Sequence, residues 1–205
     1  MSRARALAVR AGQMEAAAWT SLGRLAFRRP RVPAGASGFS YHSEIRTILV
    51  VFIVLSAVEI PIIDLIVHPW PWVRFPLLAL GIWGLVWMLG LLAGYITRPH
   101  AVGPEGLRVR DGAETDLDLP WADVLSIEPS KTVTDSGPRF ETTPAGDILC
   151  LRMQDETTVL VMLERPVVVT LRDGEHEIIG VRFFVDDTRG YLASVREHLG
   201  AYSAR

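Results

Sequence analysis

Glu59, Asp64 and His68 are the side chains in this chain best placed for chemistry, because they stand in or just beyond a long apolar run. A carboxylate surrounded by hydrocarbon persists only when protonated, paired or facing water. Asp64 and His68 are four residues apart and so lie one above the other on a helix. Together the three groups form a candidate intramembrane proton or cation site. A structural reading competes with it. Asp64 then reaches the outer interface, where Arg74 is available as a partner, while Glu59 is neutral or bonds across a hairpin or to another subunit. Pro61, between the two acids, removes a helical hydrogen bond and predicts a kink. Two carboxylates and an imidazole without a second polar span do not make a conduction pathway, so the structural reading is preferred.

The elements that must position these groups are two apolar spans, at about residues 45–67 and 75–96, within a hairpin covering 41–97. Each exceeds the ~20 apolar residues that an α-helix needs to cross a bilayer. The connector His68-Pro69-Trp70-Pro71-Trp72-Val73-Arg74 sets indoles at the level expected for headgroups, with prolines to reverse the chain. The second span carries Gly81, Gly84, Gly90 and Gly94. Gly90 and Gly94 form a Gly-x-x-x-Gly pair that suits close helix packing, within the hairpin or between copies.

Charge is distributed unevenly about this hairpin. Residues 1–46 carry eight Arg against Glu15 and Glu44, whereas residues 98–205 carry 12 basic and 19 acidic side chains. The arginines upstream of the first span and Arg98 after the second place both termini in the cytoplasm by the positive-inside bias. Expected localisation is therefore the cell membrane, multi-pass. Residues 1–40 read as a basic amphipathic segment and linker: Leu7, Ala11, Met14, Ala18, Leu22 and Leu25 recur at helical spacing, and Arg28 to Gly35 is the linker. Lys131 is the sole lysine against 20 arginines, a bias usual in GC-rich bacterial genomes. Cys150 lies in an apolar stretch and is expected to be a buried, unpaired thiol.

After Thr97 the pattern changes to short alternating runs separated by turns. Strands are expected near residues 107–110, 116–119, 124–127, 147–153, 157–163, 167–171 and 177–185, with Asp111-Gly112 and Asp173-Gly174 as turns. Trp121 reads as a strand-end core aromatic. Residues 131–145 read as a polar loop, mobile or used in recognition. A final helix at 187–199 is expected, capped by Asp186 or Asp187 and stopped by Gly200. The fold class is thus an α+β membrane protein.

Arg98-Pro99-His100-Ala101-Val102, Gly106 to Gly112, and Leu119-Pro120-Trp121-Ala122-Asp123-Val124 resemble the opening of bacterial PH-like domains fused behind a two-helix hairpin, a group with many actinobacterial membrane proteins of uncharacterised function. The resemblance implies a PH-like β-barrel or sandwich over 98–205 with a C-terminal helix, and an adaptor or assembly role without catalysis. It transfers no ligand-contacting residue. Arg108 and Arg110 share one strand face among Asp111, Glu114, Asp116 and Asp118, so they are expected to be a solvated face, and phosphoinositide capture is disfavoured electrostatically.

The sequence contains no Gly-rich phosphate loop, no His-Glu-x-x-His, no Cys pair and no Gly-x-Ser-x-Gly. His42, His68, His100, His176 and His198 are scattered, and each reads as structural or surface. The expectation is a non-enzymatic membrane-anchored scaffold or adaptor, with no catalytic, cofactor or metal residue. Its partners are the lipid bilayer and a protein partner or second copy, with no nucleic acid. The alternative is an accessory subunit of a transport or ion-linked assembly that uses the intramembrane carboxylates.

Overall fold

Long uninterrupted apolar sequence leaves the backbone to satisfy its own hydrogen bonds, and both runs do so as helices. In a computed structural model, which describes residues 19–23, 31–112, 115–135, 137–171 and 174–203, they form α1 (Ser43–Val67) and α2 (Pro71–Thr97). Both are long and apolar enough to cross a membrane. α1 is continuous through Pro61. The turn between them is shorter than the expected connector, because α2 already begins at Pro71. A proline at the first helical position loses no hydrogen bond there and supplies the helical φ. Residues 19–23 are helical, and the rest of the proposed amphipathic segment lies outside the described residues.

The chain divides into two compact units, one containing α1 and α2, the other joining Pro30–Ser43 to Arg98–Arg205. The second unit contains two sheets. Strands β1 (Ser37–Phe39), β2 (His100–Gly103), β3 (Gly106–Asp111) and β4 (Thr115–Pro120) form an antiparallel sheet in chain order. The other sheet contains β5 (Val124–Val133), β6 (Phe140–Thr143), β7 (Gly146–Leu151), β8 (Glu156–Leu171) and β9 (Gly174–Phe183), ordered β5-β8-β9-β7-β6. All its pairings are antiparallel except β7 with β9. Helix α3 (Thr188–Ser203) follows.

Alternation explains the core. In β4 the burial pattern is strictly two-fold, with Thr115, Leu117 and Leu119 buried and Asp116, Asp118 and Pro120 exposed. Leu117 and Leu119 join Val109, Val159, Val161, Phe183 and α3's Tyr191 and Val195 in one cluster, so both sheets and the last helix share a single core. Trp121 is buried in a 3₁₀ turn and donates its indole N–H to the Gly103 carbonyl at 3.0 Å. Cys150 is buried, as expected. Gly106 is required by close approach, since a Cβ there would stand 2.2 Å from the Leu119 carbonyl oxygen.

Several expectations need correction. The expected strands at 157–163 and 167–171 are one strand, β8, whose register against β9 shifts between Met162 and Val167. Pro166 falls in that irregular stretch, where a missing N–H costs no ladder bond. Residues 131–145 are not one loop: β5 runs to Val133, and β6 occupies 140–143 because Phe140 packs against the core. Asp187 caps α3, accepting the Gly190 N–H at 2.9 Å, but Gly200 does not end the helix. Three strands, β1, β2 and β6, were not foreseen.

Candidate functional site

The hairpin carries the residues first singled out, with Glu59 and Asp64 in α1 and His68 just past its end. Asp64 faces α2 and accepts two hydrogen bonds from Arg74, from Nε and, at 2.8 Å, from Nη2. A two-pronged guanidinium–carboxylate pair fixes both side chains in orientation as well as charge. Beside it lies a cavity of about 60 Å³ lined chiefly by Ile60, Ile63, Val67, Leu77, Leu78 and Gly81. α1 approaches α2 at Gly81, where an added Cβ would sit 3.0 Å from Ile60 Cγ1. Glu59 and His68 are exposed, whereas Asp64 is engaged with Arg74 and clasps the two helices. Of the candidate packing glycines, Gly90 is buried, and Gly94 lies beside the buried Ser21, an added Cβ coming within 3.8 Å of its hydroxyl.

A second polar cluster sits in the sheet unit, and sequence reasoning missed it. His100 is fully buried at the start of β2. Its Nδ1 accepts the Arg110 backbone N–H at 3.0 Å, and its Nε2 lies 3.0 Å from the Phe184 carbonyl oxygen. Those partners require a neutral ring with the proton on Nε2. Burial accordingly lowers the His100 pKa to about 4, and the nearby Arg110 charge acts in the same direction. Tyr41 stacks on the ring at a 4.5 Å centroid distance, and Phe183 lies 5.0 Å away on centroids.

Arg110 is 2% exposed, which corrects the expectation of a solvated arginine face. Its guanidinium donates to the Asp116 carboxylate at 3.1 Å and to the carbonyls of Pro99 and Arg31. The reason is the segment ahead of α1. Residues 31–43 lie against this part of the domain, also through Gly112 N–H to Tyr41 Oη at 2.9 Å and Ser43 Oγ to Asp186 at 2.6 Å. Arg108 does remain partly exposed and donates to both carboxylate oxygens of Asp116, at 2.7 and 3.1 Å. Burial acts to raise the Asp116 carboxyl, yet the Arg108 and Arg110 guanidiniums outweigh it and hold the group below the usual carboxylate range. At Asp186 burial is likewise outweighed, by hydrogen bonds from Ser43 and Ser40, with the same result.

His100, Arg110 and Asp116 are each hydrogen-bonded within the protein, so the geometry suits cohesion better than ligand exchange. Among the described residues no group of three or more His, Cys, Asp or Glu side chains could hold a metal ion. No family model matches the chain, no curated protein matches it, and no solved structure matches it.

Proposed function

We propose that this chain is a non-enzymatic, membrane-anchored adaptor of bacterial type, whose α1–α2 hairpin crosses the plasma membrane and holds a PH-like domain at the inner leaflet. One observation carries the reading. The hairpin is inserted between two strands of the same sheet, β1 and β2, which pair from Ser37 with Val102 to Phe39 with His100. The segments flanking the hairpin on either side therefore belong to one folded unit and pair with each other. A short turn bearing the exposed Trp70 and Trp72 suits the opposite interface. The positive-inside bias then assigns the domain side to the cytoplasm.

Two sheets around one core with a C-terminal helix support the PH-like description, while the parallel β7–β9 pair and nine strands depart from the seven or so anticipated. Protein binding is assigned to the outer strand β5, where Leu125 and Val133 are exposed. Pro129 and two register shifts blunt its backbone edge, so side-chain contact is favoured over strand addition.

Reporter fusions in the 68–70 turn and after residue 205 test the topology, and a photo-crosslinking residue at Leu125 or Val133 in intact bacterial membranes tests the adaptor role. The expected result is a periplasmic turn, a cytoplasmic C-terminus and one discrete adduct from β5. Opposite sidedness overturns the anchoring. Absence of adducts from both positions overturns the assignment of binding to β5.

A further inference from the structure

We propose that the flank of α1 carrying Glu59 is a docking surface for another membrane helix that presents a basic side chain at the same depth. The inference rests on the membrane-anchored reading above. The two acids of α1 are treated differently by the fold. Asp64 is turned towards α2 and satisfied by Arg74, whereas Glu59 is exposed and makes no hydrogen bond or ion pair among the described residues. Its helical neighbours Leu55, Val58 and Ile62 are each more than half exposed. Glu59 thus stands in an apolar stripe that α2 does not cover.

Depth makes that exposure consequential. Eight residues separate Glu59 from the end of α1 at Val67, so it lies about 12 Å inside that end at 1.5 Å per residue. A glutamate has too short a stem to reach headgroups from there, unlike lysine or arginine. A lone carboxylate at such depth is stable when another helix supplies its partner.

Charge complementarity selects the occupant. Among the described residues of the helical unit, Arg74 is engaged by Asp64, His68 lies past the helix end, and Arg46 is some three and a half turns away towards the other end of α1. A second copy packed on the same flank would bring carboxylate against carboxylate. A foreign helix with Arg or Lys at mid-depth supplies both the cation and the donors, while Leu55, Val58 and Ile62 provide the apolar contact.

The test uses the full-length protein, labelled with a fluorescent donor and reconstituted into phosphatidylcholine–phosphatidylglycerol vesicles. Acceptor-labelled synthetic transmembrane helices of leucine and alanine are added, one with a single mid-depth arginine and one with leucine there. The arginine helix is expected to associate at least tenfold more strongly, and Glu59→Leu should abolish that preference. Equal association of both helices with the wild-type protein overturns the proposal. So does Glu59-dependent energy transfer between two copies of this chain, which would make the second copy the occupant. Alkaline extraction and flotation of the same vesicles separate the two readings: protein released from the bilayer sinks the anchoring and this proposal together, whereas retained protein without arginine preference sinks this proposal alone.

Discussion

Phe39 and His100 face each other in the β1–β2 ladder, although the entire helical hairpin lies between them in the chain. Phe39 also meets Tyr191 of α3 edge-on at 5.2 Å, so a strand of three residues is tied to both the sheet and the final helix. The domain is consequently discontinuous, and residues 98–205 lack one of its strands.

Excision should reveal this. Replacing residues 44–97 with a flexible Gly/Ser linker should give a folded soluble domain, whereas residues 98–205 alone should unfold at a temperature lower by roughly 10 °C or more, or fail to fold. Thermal unfolding followed by circular dichroism compares the two, and equal midpoints would show that β1 is dispensable.

The sheet unit should lose stability as pH falls from 6.5 towards 4. His100 has a pKa of about 4 in the fold against an ordinary 6.5, so the unfolded chain binds more protons in that window. Stability is fully present above 6.5 and declines below it, by the order of 3 kcal/mol at the lower end. Asp116 and Asp186 are depressed carboxyls and act in a lower window, below their ordinary 3.8. Denaturant titrations of the linker version at several pH values should show the slope, and His100→Gln should flatten it despite a lower overall stability.

The Asp64–Arg74 pair predicts non-additive effects. Asp64→Asn or Arg74→Leu each strands a partner charged or unpaired, whereas Asp64→Leu with Arg74→Leu removes both. Each single variant should weaken the hairpin more than the double variant does, read from unfolding in mixed micelles. Additive losses would mean that the pair is not a clasp.

Gln154 and Asp155 connect Met153 to Glu156 with φ values of 46° and 65°, and the flanking residues exchange backbone hydrogen bonds of 2.9 and 3.0 Å. Two successive left-handed residues favour Asn-Gly at such a turn. Gln154→Asn with Asp155→Gly should therefore stabilise the domain by about 1 kcal/mol, measured by chemical denaturation.

Tyr191 is fully buried, and its hydroxyl has no hydrogen-bond partner among the described residues. Burial pushes the phenol well above its ordinary pKa of 10. Tyr191→Phe keeps the ring contacts with Phe39 and Phe183 and deletes the unsatisfied group, so it should be neutral or stabilising by up to ~1 kcal/mol. A clear loss of stability would point to a partner for the hydroxyl.

Much of the fold was legible where the physics is local. The helices follow from near-continuous apolar runs, and β3, β4 and β7 lie close to the expected strands. What stayed hidden depends on distant chain. Nothing in Ser37–Phe39 signals a strand, because its partner arrives only after the hairpin. Arg110 looked solvated because residues 31–43, which cover it, are remote in sequence. Its opposition to Asp116 across β3 and β4 was the available clue. The facing of Glu59 was unreadable for another reason: a helix apolar all round has no phase from which to infer its inner side.

The interrupted β1–β2 ladder also imposes an order on biogenesis. During synthesis β1 emerges first and must wait, its backbone unpaired, until both spans and β2 have been made. On the proposed anchoring, only a hairpin whose two ends finish on one face of the bilayer would return His100 to Phe39. A single crossing would then leave β1 on the far side and the Arg110 and His100 cluster without the contacts of residues 31–43. Under that anchoring, closure of the sheet would report on insertion, since β1 can pair with β2 only after the hairpin between them has been made.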